Sequence, residues 1–176
     1  MNYFEIHKIR YGWFEVCFAP HGNESGWLLN SDYLGCDAPA LFLGALADML
    51  EGKSHEEWLC WQDEPGAVVL RLELCGNDIS VGISYSDKDS LELPFSGSEL
   101  AHEAKELAYR GTFEARRILD DIIVQFGLYE DGNGLKLYNK NWGDFPVKEY
   151  QRLKKCAEKV NKALGKYDKM FCFSYL

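Results

Sequence analysis

Two short segments contain residue types that could bind a metal ion, but their spacing does not fit known ligand patterns. His102-Glu103-Ala104-Lys105-Glu106 is close to the helical zinc-protease motif, in which two histidines four residues apart hold the metal. Glu106 stands where the motif requires its second histidine, so we interpret the segment as an exposed polar helix face. Asp131-Gly132-Asn133-Gly134 begins like a calcium loop, but Leu135 follows where a ligand is required, and we interpret it as a tight turn.

Adjacent carboxylates occur at Glu56-Glu57, Asp63-Glu64, Asp120-Asp121 and Glu130-Asp131. General acid–base catalysis needs two carboxyl groups facing one another across a cleft, which adjacent positions on one strand or helix do not supply. The sequence also has no Gly-x-Ser-x-Gly elbow and no glycine-rich phosphate loop. We therefore predict a protein that is not an enzyme and that uses no metal and no cofactor.

The cysteines and the N-terminal residues bear on the cellular compartment. None of the six cysteines forms a Cys-x-x-Cys pair, and most have apolar neighbours, which is typical of structural thiols. Residues 1–8 do not begin a secretory signal, and no window approaches the roughly 18 apolar residues of a membrane span. We expect a cytoplasmic protein with no membrane partner.

Charge is distributed unevenly along the chain. The formal net charge is −9, yet residues 1–135 carry 9 basic and 24 acidic side chains, whereas residues 136–176 carry 10 basic and 4 acidic ones. An acidic protein is repelled by phosphate backbones, so we expect no nucleic-acid partner. Either the basic C-terminal helix lies against the acidic body, or part of the acidic surface stays free to attract a basic protein.

Aromatic residues could serve as anchors in the second interpretation. Trp58 and Trp61 fall on opposite faces of a strand, so one of them, or Trp142 in its loop, is expected to stay partly exposed. The predicted partner-binding residues are Trp61, Asp63, Glu64, Asp120, Asp121, Glu130, Asp131 and Trp142.

Hydrophobic periodicity predicts mainly strands up to residue 95. A hairpin is expected from residues 14–18 and 26–30, and helical spacing predicts a helix over Ala38–Leu50 that ends at Gly52. Alternation and turn residues predict an antiparallel meander over 57–62, 67–75 and 79–86, with one further strand at 90–95.

The remainder of the chain is predicted to be mostly helical. Ser96 and Glu99 fit a capping box, so a helix should begin there and continue to Phe126 with a break near Gly111. A basic amphipathic helix is expected from Pro146 to its end at Gly165, followed by a strand over residues 170–176. The order of elements lacks βαβ alternation. We predict one α+β domain over residues 1–176, with an antiparallel sheet of about five or six strands covered by three or four helices.

The stretch Trp61-Gln62-Asp63-Glu64-Pro65-Gly66, together with the two strands predicted after it, resembles a hairpin of uncharacterised small acidic bacterial proteins. The whole profile is similar to the immunity proteins of polymorphic or contact-dependent toxin systems, which are small, acidic, cytoplasmic and without catalytic motifs. This resemblance implies a role rather than particular residues. That role is to bind a toxin domain, often a basic nuclease, and to block it.

Three functions therefore stay open at this point. The leading hypothesis is a toxin-neutralising immunity protein with a basic partner. The first alternative is a small-molecule enzyme or sensor with an aromatic-lined pocket between sheet and helices. The second is a structural subunit of a larger assembly, held through a sheet edge.

Overall fold

The structure is a computed structural model that describes residues 2–22, 25–31, 37–63, 66–88 and 92–172; the side chains of 29–31 and 163–172 lie outside that description. Within these ranges the strands are β1 Phe4–Arg10, β2 Trp13–Phe18, β3 Gly26–Ser31, β4 Glu56–Asp63, β5 Gly66–Cys75, β6 Asp78–Ser86 and β7 Glu106–Glu114. The helices are α1 Ala38–Leu50, α2 Ala115–Gly127, α3 Gly132–Asn141 and α4 Val147–Cys172, together with a 3₁₀ helix at Ser98–His102.

The strands form two antiparallel sheets, β1-β2-β3 and β4-β5-β6-β7. The α+β class is confirmed, but the prediction of one sheet of five or six strands is wrong. The outer edge of β4 explains the division. There the backbone N–H of Cys60 donates to the carbonyl of Phe95 (2.9 Å), and that of Gly97 donates to the carbonyl of Trp58 (3.1 Å). Because this stretch of edge is already hydrogen-bonded, the first sheet cannot continue the second one across it.

Local turn chemistry accounts for the elements that the sequence predicted well. The β2–β3 hairpin and the β4-β5-β6 meander are confirmed, and α1 ends just before Gly52, whose φ is +74°. The β1–β2 connection consists of Tyr11 and Gly12, with φ values of +54° and +76°. Positive φ at both positions matches the right-handed twist of a hairpin. The strand β1 pairs with β2 and completes the first sheet. The sequence analysis did not predict it as a separate strand.

Aromatic rings fill the core between the two sheets and the helices. Phe4 of β1 stacks on Phe42 of α1 and on Phe126 of α2, with ring centroids 5.7 and 6.3 Å apart. Phe14 of β2 packs against Trp61 of β4 at 6.0 Å. A smaller cluster lies on the other face of the second sheet, where Leu93 and Leu100 cover Cys60 and Val69. The second sheet is therefore buried on both faces.

The helix predicted from Ser96 to Phe126 is wrong in its first half. A 3₁₀ turn and then β7 occupy that stretch, and the helix α2 begins only at Ala115. The Gly111 position, expected to break a helix, lies inside β7. Tyr109 and Phe113 of β7 face Ile83 and Ile79 of β6 and are buried. Pairing with β6 buries both side chains on one face of the sheet, and this tertiary contact overrides the helical spacing. The segment from His102 to Glu106 is therefore no helix face.

Three further boundaries differ from the predictions. Residues 92–95 form no strand, and only a single bridge joins Ser96 to Leu59, while residues 90 and 91 lie outside the described ranges. The tight turn predicted at residues 131–134 is instead the start of α3, which runs from Gly132 to Asn141. The helix α4 continues through Gly165 to Cys172, so the expected end and the expected strand at 170–172 are wrong. A glycine costs a helix only about 1 kcal/mol, which neighbouring turns can offset. Residues 173–176 lie outside the described ranges.

No helix in the described part of the chain is long and apolar enough to cross a bilayer.

The contact between the two sheets at Gly26 gives a first test. A Cβ atom on Gly26 would lie 2.4 Å from the Tyr109 ring, so we expect Gly26→Ala to lower the free energy of unfolding by about 1–3 kcal/mol. Gly82→Ala is the matched control in β6, because its new Cβ would be 3.6 Å from the nearest atom, in Arg71. Urea denaturation measures both. Equal stability of the two variants would contradict this packing.

Candidate functional site

A cleft of about 520 Å³ lies beside α1 and is the site that we consider for function. Helix α1 forms its floor, β4 with the Phe95–Ser96 segment forms one wall, and α4 forms the other. The described lining consists of Asp37, Ala40, Leu41, Gly44, Ala45, Asp48, Glu57, Leu59, Phe95, Ser96, Glu149 and Arg152.

The floor of the cleft consists mainly of small side chains, because one face of α1 presents Ala40 and Gly44 there. Asp37 caps the helix, accepting a hydrogen bond from the backbone N–H of Ala40 (3.2 Å). Residues three and four apart share one helix face, so Ala40, Gly44 and Asp48 follow Asp37 along the cleft. A methyl group added at Gly44 would lie 3.9 Å from Cγ of Glu149. The small floor thus lets α4 approach α1 closely.

The cleft is acidic, with four carboxylates against the single guanidinium of Arg152. Burial raises the pKa of Asp37, and the charge of Glu149 raises it further. Hydrogen bonds from the Ala40 backbone and from the Trp142 indole act in the opposite direction. Asp37 is exposed as a residue, but desolvation of its carboxyl group outweighs these hydrogen bonds, so a cation bound beside it would favour the ionised form.

Arg152 of α4 occupies one end of the cleft. Its Nη2 hydrogen-bonds to Asp48, and its Nε and Nη2 contact the two carboxylate oxygens of Glu51 at 3.1 and 2.6 Å. Lys53 adds ion pairs to Asp48 (3.1 Å) and Glu51 (2.9 Å). Hydrogen bonds from Arg152 and then from Lys53 lower the pKa of Glu51 to about 2 and also lower that of Asp48. The charges at the C-terminal end of α1 are thus already compensated.

The other three carboxylates of the cleft are not compensated in this way. Among the described residues, Asp37 and Glu57 form no ion pair, and the cation nearest Glu149 is Lys148 at 3.9 Å. Phe95, which is 39 % exposed, supplies an apolar surface beside them. Carboxylates next to an aromatic ring fit the long apolar stem and charged head of arginine or lysine.

Other chemistry has less support in the described residues. No three His, Cys, Asp or Glu side chains there are placed to hold a metal ion together, and the described lining of the cleft includes no histidine. Cys60 is a buried free thiol whose pKa burial raises to about 11, so it is a poor nucleophile. Cys17 and Cys156 are likewise buried free thiols, as expected for structural cysteines.

The predicted aromatic anchors occupy different environments. Trp61 is only 1 % exposed and fills the core, so it offers no surface to a partner. Trp58, on the opposite strand face as predicted, is half-buried beneath the guanidinium of Arg71. Trp142 packs on Phe14 with ring centroids 5.6 Å apart, and its indole donates to Asp37. Trp142 is the predicted residue that the structure connects to the cleft, as a support for Asp37.

The predicted carboxylates that the structure describes do not line the cleft, and several already have partners. Asp121 accepts from the backbone N–H of Tyr3 (2.6 Å), and Asp120 accepts from the Asn161 amide (3.3 Å). Glu130 contacts Gln151 and forms an ion pair with Lys154 at 3.3 Å. Asp63 at the end of β4 is half-buried, with its pKa raised by burial, and Asp131 is exposed. Glu64 lies outside the described residues.

Sequence reasoning missed the cleft carboxylates because they are far apart along the chain. Asp37 and Asp48 belong to α1 and its cap, Glu57 to β4 and Glu149 to α4. The sequence analysis considered Glu57 only as one half of an adjacent Glu-Glu pair. A local signal existed at one position only. Asp37 precedes Pro39 and the first turn of α1, which is the pattern of an N-cap.

Comparison of the chain with protein-family models, with curated proteins and with solved structures gives no match.

The ion pairs of Arg152 with Asp48 and Glu51 join α4 to α1, and their contribution to stability can be tested by its dependence on pH. The pKa values of Asp48 and Glu51 are lower in the folded protein than in the unfolded chain. The cluster therefore stabilises the fold above about pH 4.5, and that contribution is lost as the pH falls toward 2. We expect Arg152→Gln to be less stable than the wild type at about pH 7, with the difference shrinking below about pH 4.5.

The matched control is Arg116→Gln on α2, because Arg116 is exposed and forms no ion pair with the described residues. Chemical denaturation at a series of pH values gives the free energies of unfolding. A stability difference for Arg152→Gln that stays constant down to about pH 2 would contradict the ionic account.

Proposed function

We propose that this protein is a non-catalytic binding module that takes up a cationic element of a protein partner in the acidic cleft. In this proposal it acts as an immunity protein, and the partner is a basic toxin domain such as a nuclease. The observation that carries the proposal is the group of Asp37, Glu57 and Glu149 beside the exposed ring of Phe95 in one concave surface. Among the described residues Asp37 and Glu57 form no ion pair, and Glu149 has only the exposed Lys148 at 3.9 Å.

The charge of the cleft favours a basic partner over a neutral one. Carboxylates in a concave, partly desolvated surface focus the electrostatic potential and accelerate the encounter with a cation. Asp37 is exposed as a residue, yet desolvation raises the pKa of its carboxyl group, so a bound cation would stabilise its ionised form. An aromatic ring beside the charges adds the desolvated contact on which tight binding depends.

The basic helix α4 compensates only part of the acidic surface. Arg152 pairs with Asp48 and Glu51, and Lys154 pairs with Glu130. Asp37 and Glu57 are left without such a partner among the described residues. An uncovered anionic area of this kind is what docking of a basic protein requires. A nuclease toxin bound there through the cationic surface that meets its substrate would be blocked from nucleic acid.

A fluorescein-labelled hexa-arginine peptide tests the site directly. We expect it to bind the wild type, with an affinity that falls as salt is added. Glu57→Gln combined with Glu149→Gln should weaken binding about 2- to 30-fold, since each of the two lost charge pairs is worth about 0.2–1 kcal/mol. Fluorescence anisotropy measures the dissociation constants.

The matched control is Asp120→Asn combined with Asp131→Asn, which changes the net charge equally at two carboxylates outside the described cleft lining. We expect this pair to retain nearly wild-type affinity. If the control loses more affinity than the cleft variant, the binding surface lies at the carboxylates predicted from the sequence, and the cleft proposal is wrong.

Asp37 makes cation binding depend on pH. A bound cation stabilises the ionised carboxylate, whereas protonation removes that attraction, so affinity should decline as the pH falls through the raised pKa of Asp37. Asp37→Asn keeps the helix cap, because asparagine caps as well as aspartate. We expect this variant to bind hexa-arginine more weakly at about pH 7 and with a flatter pH profile. If the pH dependence of the affinity were identical to that of the wild type, Asp37 would not be part of the binding site.

A further inference from the structure

A row of lysines follows the solvent-facing side of α4, and we call it the lysine stripe. It consists of Lys148, Lys155, Lys159 and Lys162, all of them exposed. Their spacings of seven, four and three residues place them on one side of an α-helix. The buried side of the same helix carries Tyr150, Leu153 and Ala157. The stripe is therefore turned away from the core.

The lysine stripe is poorly compensated, although the protein as a whole is acidic. The side chain of Lys148 is 89 % exposed, and its nearest carboxylate, Glu149, is 3.9 Å away. For Lys155, Lys159 and Lys162, no carboxylate of the described residues forms an ion pair. This differs from two other cations on the same helix. Arg152 binds Asp48 of α1 and Glu51 directly after α1, and Lys154 binds Glu130 in the connection between α2 and α3.

The stripe borders the acidic cleft directly. Arg152 and Glu149 form the α4 wall of the cleft. Lys148 lies four residues before Arg152 and Lys155 lies three residues after it, so each is its surface neighbour one turn away. One turn of helix rises about 5.4 Å, and within that distance the surface changes from anionic to cationic. A partner that covers the cleft must also face these lysines.

A uniformly basic partner would be attracted by the cleft and repelled by its rim. We propose that the lysine stripe is a specificity element, and that the partner's surface carries acidic residues next to the cationic element that enters the cleft. This inference rests on the proposed function and adds the charge pattern of the partner. Paired attraction at the cleft and at the rim fixes the orientation of docking, and the lysines reject proteins that are merely basic.

Two kinds of fluorescein-labelled peptide test this inference on the full chain. One is hexa-arginine. The other kind joins four aspartates to six arginines through two glycines. In one such peptide the aspartates precede the arginines, and in a second peptide they follow the arginines. The variant is Lys148→Glu combined with Lys155→Glu. The control is Lys136→Glu combined with Lys140→Glu, which makes the same charge change on α3, outside the described cleft lining. Circular dichroism and thermal unfolding confirm that each variant is folded.

We expect the stripe variant to bind hexa-arginine more tightly and at least one aspartate-bearing peptide more weakly. The ratio of the two dissociation constants should change at least about fivefold, a change that the α3 control does not show. If the stripe variant binds all peptides more tightly, as a simple gain in negative charge would produce, the stripe is only a solvated face and the inference is wrong while the proposed function stands. If no peptide binds the wild type, the proposed function fails and this inference fails with it.

Discussion

The ion cluster that joins α4 to α1 determines the shape and the charge of the candidate site. Arg152 reaches from α4 to Asp48 and Glu51 at the end of α1, and Gly44 leaves room for Glu149 at the same helix contact. This docking places the α4 carboxylate across the cleft from Glu57. Burial is the main cause of the raised pKa of Asp37, and the charge of Glu149 adds to it. One guanidinium thus compensates one end of the cleft and leaves the other end anionic.

The same contact reconciles the two interpretations of the charge asymmetry. The basic C-terminal helix does lie against the acidic body, where Arg152 and Lys154 pair with carboxylates. It does not compensate all of them, because helix geometry turns only one side of α4 toward the body. Lys148, Lys155, Lys159 and Lys162 face solvent beside the cleft, where Asp37 and Glu57 form no ion pair with the described residues. Neighbouring regions of opposite charge give orientation to docking in a way that a uniform surface cannot.

Local signals determined how much of the fold could be predicted. Alternation between turn residues identified β4, β5 and β6, and helical spacing before Gly52 identified α1, because these elements follow their own sequence pattern. The strand β7 was missed because Tyr109 and Phe113 owe their burial to pairing with β6, which is a tertiary effect. The candidate site was missed for the same reason. Its carboxylates meet only after α1, β4 and α4 pack together, and Trp61, predicted as an anchor, is needed by the core.

The central claim is that a cation binds between α1, β4 and α4, and chemical-shift mapping by NMR tests it most directly. Addition of hexa-arginine to ¹⁵N-labelled protein is expected to shift the amide signals of residues 37–48, 57–59, 95–96 and 149–152, and to leave those of residues 120–121 and 130–131 unchanged. Shifts centred on residues 120–131, or spread evenly over the acidic surface, would contradict the account.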